Sequence, residues 1–154
     1  MTKPFSLKPL LHLAQQKNDA ATKKLGVLNR NQKTAENKLE MLQQYRRDYQ
    51  LKLQTAESNG MELQEIRNFQ DFIYRLDDAI LQQSAAVEHS KTSVVQGRSE
   101  LSETQRRKKS FDTLAQRHLD TEKILEAKAE QRVQDEHNGR RAAFKSSGFQ
   151  EENN

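Results

Sequence analysis

Cysteine and tryptophan are absent from this chain of 154 residues, and proline occurs only twice. Without cysteine there are no disulfides and no thiolate metal ligands, and the composition is compatible with a reducing compartment. Hydrophobic residues make up only 33% of the chain against 31% charged, so a broad globular core is excluded. Long apolar runs are missing too, since nothing approaches the roughly 18 consecutive apolar residues of a membrane span. The opening MTKPFSLKPLLHLAQQ holds a short apolar cluster broken by Pro9 and His12. It lacks the apolar core and cleavage pattern of a signal peptide, so no direct membrane insertion is expected.

Catalytic constellations are equally scarce. His12, His89, His118 and His137 are scattered, with no pair at helical ligand spacing, which leaves no candidate metal centre and no HExxH motif. The solitary glycines form no phosphate-binding loop. Asp77 and Asp78 are adjacent, so on a helix they point in different directions and read as a solvated charged face rather than an acid–base pair. The expectation is a protein that is not an enzyme and takes no cofactor and no metal.

What the chain has in quantity is Gln, Glu, Lys, Arg, Ala and Leu, the composition of a coiled coil or long helix. Ser6 is a candidate N-cap, and Pro9 can occupy a first turn, where its missing N–H costs nothing. From there, alternating steps of four and three residues pick out Leu7, Leu11, Ala14, Asn18, Ala21, Leu25, Leu28, Gln32, Ala35, Leu39, Leu42, Arg46, Tyr49, Leu53 and Ala56. This is a sustained heptad seam, interrupted regularly by Asn18, Gln32 and Arg46, polar intrusions of the kind that set register at some cost in stability. A second series, Ile66, Ile73, Ile80, Val87, Val94 and Leu101, recurs every seven residues. Its companion positions begin with Phe69 and Leu76 and weaken to Gln83, Ser90, Gly97 and Thr104. Beyond Leu101 the pattern degrades to a patchy stripe of Phe111, Leu114, Leu125, Ala129 and Val133. The final GRRAAFKSSGFQEENN has no periodicity and is expected to fray or be disordered.

Between the two series, Ser58-Asn59-Gly60 is the clearest stop signal in the chain, because glycine just past a helix end accepts the left-handed conformation. A break of about four residues is the length that joins antiparallel neighbours. A fold-back there places Ile66 opposite Leu53, Ile73 opposite Arg46, Ile80 opposite Leu39, Val87 opposite Gln32, Val94 opposite Leu25 and Leu101 opposite Asn18. Each member of one series thereby meets a member of the other, and Gly26 and Gly97 approach across a thin, deformable waist. The predicted fold is all-α, a long antiparallel two-helix coiled coil. Helix one covers about 7–57, the turn 58–61 and a longer helix two about 62–138. Together they form one rod within 1–140, with a disordered tail over 141–154. A helix of about fifty residues spans about 75 Å at 1.5 Å per residue.

Charge supports that pairing. Residues 1–57 carry eleven Lys/Arg against five Asp/Glu, whereas residues 62–104 carry four against eight. A basic segment followed by an acidic one suits two helices side by side, and nucleic acid is more naturally met by one continuous basic face. The run Arg106, Arg107, Lys108, Lys109 is interleaved with Asp112, Asp120 and Glu122 nearby, which favours a solvated or protein-binding face.

Near the turn there are more large apolar side chains than two helices can bury between them. Lys38, Leu42, Tyr45 and Tyr49 on the first helix match Gln83, Ala79, Leu76 and Phe72 on the second, pair by pair, along one side of the hairpin. Leu42, Tyr49 and Leu76 also belong to the seam and can be read simply as such. Tyr45, Phe72 and Ala79 lie off it, where no third layer covers them, and an exposed apolar patch of that kind marks a partner site.

Phe5-x-Leu7 followed by Leu10, Leu11 and Ala14, the Tyr45-x3-Tyr49 pair, Gly60 at the break and Phe72-x3-Leu76 after it together resemble the FliJ family, coiled-coil proteins of bacterial flagellar type III export. The likeness covers about residues 5–140 and rests on combined spacing rather than on one specific motif. It implies a hairpin similar to the central stalk subunit of rotary ATPases. The end away from the turn docks with the hexameric flagellar export ATPase and promotes its assembly and activity. The family also binds the cytoplasmic domain of the export gate and recycles substrate-specific export chaperones, so the resemblance places the chain in the cytoplasm, peripherally associated with the inner membrane. Its gate-contacting surface carries over to Leu42, Tyr45, Tyr49, Phe72, Leu76 and Ala79, while Lys38 and Gln83 stand where glutamine and histidine are expected. ATPase contact is expected at the open end, from Phe5, Leu7 and Leu10 with Arg106, Arg107, Lys108 and Lys109.

Three other readings stay open on the residues alone. The equivalent stalk of a virulence type III secretion apparatus shares size and architecture. A helical nucleic-acid-binding protein would use the basic first helix and the RRKK run, and predicts steeply salt-dependent binding to duplex DNA. A generic oligomeric coiled coil would pair its seams between chains, against the expected monomer when free and no nucleic acid bound.

Overall fold

A computed structural model of the chain describes residues 3–151. Two helices account for nearly all of them: α1, Lys8–Ser58, and α2, Leu63–Glu151. No strand occurs among the described residues. Pro9 falls in the first turn of α1, and Ser6 lies in the turn ahead of it. The Lys8 amide donates to the Phe5 carbonyl and the Leu11 amide to the Leu7 carbonyl, so chain geometry at Phe5 to Leu7 starts the helix.

Gly60 ends α1 as its position predicts, with φ +77°. The Met61 amide donates to the Ala56 carbonyl at 3.1 Å and the Gly60 amide to the Glu57 carbonyl at 3.3 Å. These two bonds form a Schellman cap, which satisfies carbonyls that the last turn would otherwise leave without partners. Met61 and Ala56, both half-buried, are the apolar pair that accompanies such a cap. α2 then starts at Leu63, two residues beyond Met61.

The chain divides into two compact units, one of residues 1–15 with 106–154 and one of residues 16–105. Within the second unit α1 and α2 pack antiparallel along the heptad seam. All fifteen predicted seam positions from Leu7 to Ala56 are buried or half-buried, and Gly26 is the one further residue of α1 that is not exposed. On α2, Ile73, Leu76, Val87 and Val94 are the buried apolar residues. The register lies within about one helical turn of expectation. Thr104 Oγ1 donates to Asn18 Oδ1 at 3.2 Å, Gln83 Nε2 donates to the Ala35 carbonyl at 3.0 Å, and Lys24 pairs with Glu100 at 3.0 Å.

The three polar seam residues each find a partner, as partly buried polar groups must. Asn18 accepts from Thr104 across the seam. Arg46 reaches across to Asp77 and along its own helix to Gln50. That hydrogen bond and the charge of Asp77 raise the Arg46 pKa above its already high ordinary value, so the guanidinium stays charged. Gln32 is satisfied locally, donating to Glu36 at 3.0 Å.

Three expectations change. The seam does not lapse after Leu101, because the same alternation of three- and four-residue steps continues as half-buried Thr104, Lys108, Phe111, Ala115, His118 and Glu122. Leu114, Leu125 and Val133, expected to prolong it, are exposed. The heptad frame persists while its occupants become polar, which an apolar count alone misses. The predicted end of helix two near residue 138 also moves, since α2 runs through the segment expected to be a tail as far as Glu151. Residues 123–148 are exposed throughout, so they are helical by local propensity and bury nothing. Residues 152–154 of that tail lie outside the described residues. Finally, the thin waist expected at Gly26 and Gly97 is closed at Gly97, which is buried. A Cβ added at Gly97 would come within 2.8 Å of Leu28 Cδ1 and 3.4 Å of Leu25 Cδ1, whereas nothing lies within 4 Å of one added at Gly26.

Candidate functional site

In the unit of residues 16–105, seam steps of four and three put Leu42 and Tyr49 of α1 on the packed side as half-buried residues, and Leu76 of α2 in the core at 7% exposure. The rings of Tyr49 and Phe72 meet with centroids 4.4 Å apart and planes tilted by 42°. Phe69 approaches Tyr49 from the seam side at 6.1 Å. Tilted aromatic pairs of this kind are favoured by the ring quadrupoles. Lys52 Nζ stands 5.1 Å from the Tyr49 ring centroid, within cation–π range. Tyr49 is therefore fixed from three directions.

Tyr45 and Phe72 remain 48% and 39% exposed, with half-buried Ala79 one heptad beyond Phe72. The structure thus sorts the six predicted surface residues. Tyr45, Phe72 and Ala79 can be touched from outside, and Leu42 and Tyr49 offer an edge. Leu76 is a seam residue whose side chain supports the patch from beneath, because its heptad position points at α1. Beside the turn an open cleft of about 600 Å³ is lined by residues including Leu51, Ala56, Met61 and Phe69.

The other unit holds the second predicted surface. Phe5 and Leu7 are half-buried and Leu10 is 45% exposed. Arg106, Arg107 and Lys109 are exposed, but Lys108 takes a seam position and is half-buried. A lysine in such a place can cover apolar surface with its stem while its ammonium stays in water. The segment before α1 is tied to α2 by residues that periodicity did not single out. His118 Nε2 lies 2.8 Å from the Lys3 carbonyl and acts there as the donor. The rings of Phe5 and His118 sit 5.5 Å apart, and the Lys3 amide donates to Glu122 Oε2 at 3.4 Å. The available signal was positional: His118 and Glu122 continue the heptad frame of Thr104 and Phe111.

Among the described residues no group of three His, Cys, Asp or Glu could hold a metal ion, and no helix is long and apolar enough to cross a membrane. The class defined by this fold is the antiparallel two-helix coiled coil with an aromatic patch on one side. The family model described as "Flagellar FliJ protein" matches residues 2–147, and the chain belongs to that family. A flagellar FliJ protein of Salmonella typhi is similar at 29% identity over 136 residues, covering 88% of this chain and 92% of that protein. No solved structure matches. Family membership makes the chain a protein of flagellar export.

Proposed function

We propose that the chain is a stalk-like activator of the flagellar export ATPase that links the ATPase to the export gate and escorts export chaperones. The observation that carries this reading is the pair Tyr45 and Phe72, half-exposed aromatics on one side of the hairpin, of which Phe72 is held in place by Tyr49. Exposed aromatics on a rigid support cost little entropy to dock and are common anchors of binding energy. In this reading the cytoplasmic domain of the gate takes the surface of Tyr45, Phe72 and Ala79 with the edges of Leu42 and Tyr49. The hexameric ATPase takes Phe5, Leu7 and Leu10 with Arg106, Arg107, Lys108 and Lys109. The protein works in the cytoplasm and reaches the inner membrane only through the export apparatus.

The test is a pull-down with the export ATPase and the gate domain, comparing the natural chain with Tyr45→Ala/Phe72→Ala. Loss of gate binding with the ATPase contact kept is the expected result. Equal loss of both, with circular dichroism unchanged, would end the division of labour. Charge reversal at residues 106–109 is expected to weaken ATPase stimulation, and unchanged stimulation would remove those four residues from the assignment.

A further inference from the structure

The outward side of α1 carries a pattern that the proposed contacts touch only at one edge, where the column of Lys38 continues into Tyr45. Within residues 16–47, Ala20, Val27, Thr34 and Met41 recur every seven residues and all are exposed. Val27 and Met41 remain 44% and 52% accessible. At about 100° per residue, the column flanking this one on the side nearer the seam holds Lys17, Lys24 and Lys38, and the column on the other side holds Lys23 and Arg30. The acidic residues of the stretch, Asp19, Glu36 and Glu40, all fall outside these three columns. Over residues 16–47 the pattern makes a face about 100° wide with an uncharged centre, basic flanks and no carboxylate, and Asp48, the next residue of the central column, ends it.

Only one of those cations is neutralised within the molecule. Lys24 pairs with Glu100 at 3.0 Å, while Lys17, Lys23, Arg30 and Lys38 have no ion-pair partner among the described residues. We propose that this face of α1 is a docking surface for one acidic amphipathic helix of a partner protein. Charge selects the sign of the partner, because a helix with Glu or Asp beside its apolar stripe meets basic residues on both flanks. Period selects its shape. An apolar column repeating every seven residues stays parallel to the seam as the helices supercoil, so a third helix can follow it.

A membrane surface is the weaker occupant. Helices that lie in the interface bury a broad apolar face rich in Trp, Phe and Leu, whereas this column is one residue wide and holds Ala, Val, Thr and Met. The inference goes beyond the gate and ATPase contacts and does not depend on them.

The experiment uses the full chain and a fluorescein-labelled designed peptide of three heptads, with Leu at a and d and Glu at e and g, whose own charge keeps it monomeric. Fluorescence anisotropy is expected to show saturable binding that weakens as salt rises. Val27→Asp/Met41→Asp and Lys23→Glu/Arg30→Glu are each expected to weaken it by about tenfold or more. All four side chains are exposed, so thermal melts should be unchanged, and Leu81→Asp on the outer face of α2 should leave binding intact. The proposal is overturned if a peptide with Lys in place of Glu binds as tightly, or if Leu81→Asp weakens binding as much as the α1 variants do. Capture of the chain by phosphatidylglycerol vesicles, with no binding of the acidic peptide, overturns it in favour of a membrane.

Discussion

Tyr49 and Phe72 join the two helices through tilted rings 4.4 Å apart, and the same contact holds the exposed face of Phe72 in place. Stability and binding should therefore separate along this patch. Tyr49→Ala and Phe72→Ala are each expected to destabilise the hairpin, and a double-mutant cycle should give a coupling of about 0.5–1.5 kcal/mol. Tyr45, with nearly half its surface open, is expected to change stability by less than about 0.5 kcal/mol when replaced by alanine. Urea unfolding followed by circular dichroism checks all three. A coupling near zero would mean that the two rings merely lie near one another.

Val94 and Val95 are neighbours in sequence and opposites in environment, at 3% and 63% exposure. Burying a valine side chain is worth about 1.5–3 kcal/mol. Val94→Ala should lose about 1–2 kcal/mol of that with its two methyl groups, and Val95→Ala should lie within about 0.5 kcal/mol of the natural chain. The comparison measures the heptad frame directly. A register slip by one residue would exchange the two effects.

Much of this arrangement could be read from residue order alone, for a physical reason. A two-helix seam repeats every seven residues, so Ile73, Val87 and Val94 announce their burial in the sequence, and Gly60 announces the turn. The antiparallel register follows from those two facts to within about a turn. What spacing could not give was the stretch where the frame persists with polar occupants. His118 is half-buried because it accommodates Phe5 and the Lys3 carbonyl, a contact between distant parts of the chain that no local pattern encodes. Leu76 is the converse case. Its spacing fits the seam and the side patch equally, and only the direction of its side chain separates them.

Residues 123–148 are helical and exposed, so they add helix without adding buried surface. In proteins most helical stability comes from the packing of one face rather than from intrinsic propensity, and this segment has no packed face. Truncation after Glu122 is expected to lower the far-UV helical signal while leaving the urea midpoint of the remaining chain unchanged. A peptide of the removed segment should be only partly helical at 25 °C. A marked fall in the midpoint would show that the extension stabilises the packed part.

Gly26 and Gly97 are both helical glycines, and alanine is favoured over glycine inside a helix by about 1 kcal/mol. At Gly26 a methyl group meets nothing within 4 Å, so Gly26→Ala is expected to raise stability by most of that amount. At Gly97 the methyl would come to 2.8 Å from Leu28 Cδ1, closer than contact allows, and the leucine must turn or the helices part slightly. Gly97→Ala should therefore gain less than Gly26→Ala, and Gly97→Leu should destabilise, because overpacking a seam costs about 1–3 kcal/mol. Melting curves of the three variants decide the order. Equal gains at the two glycines would show that Leu28 yields freely and that the helices are not closely packed at that level.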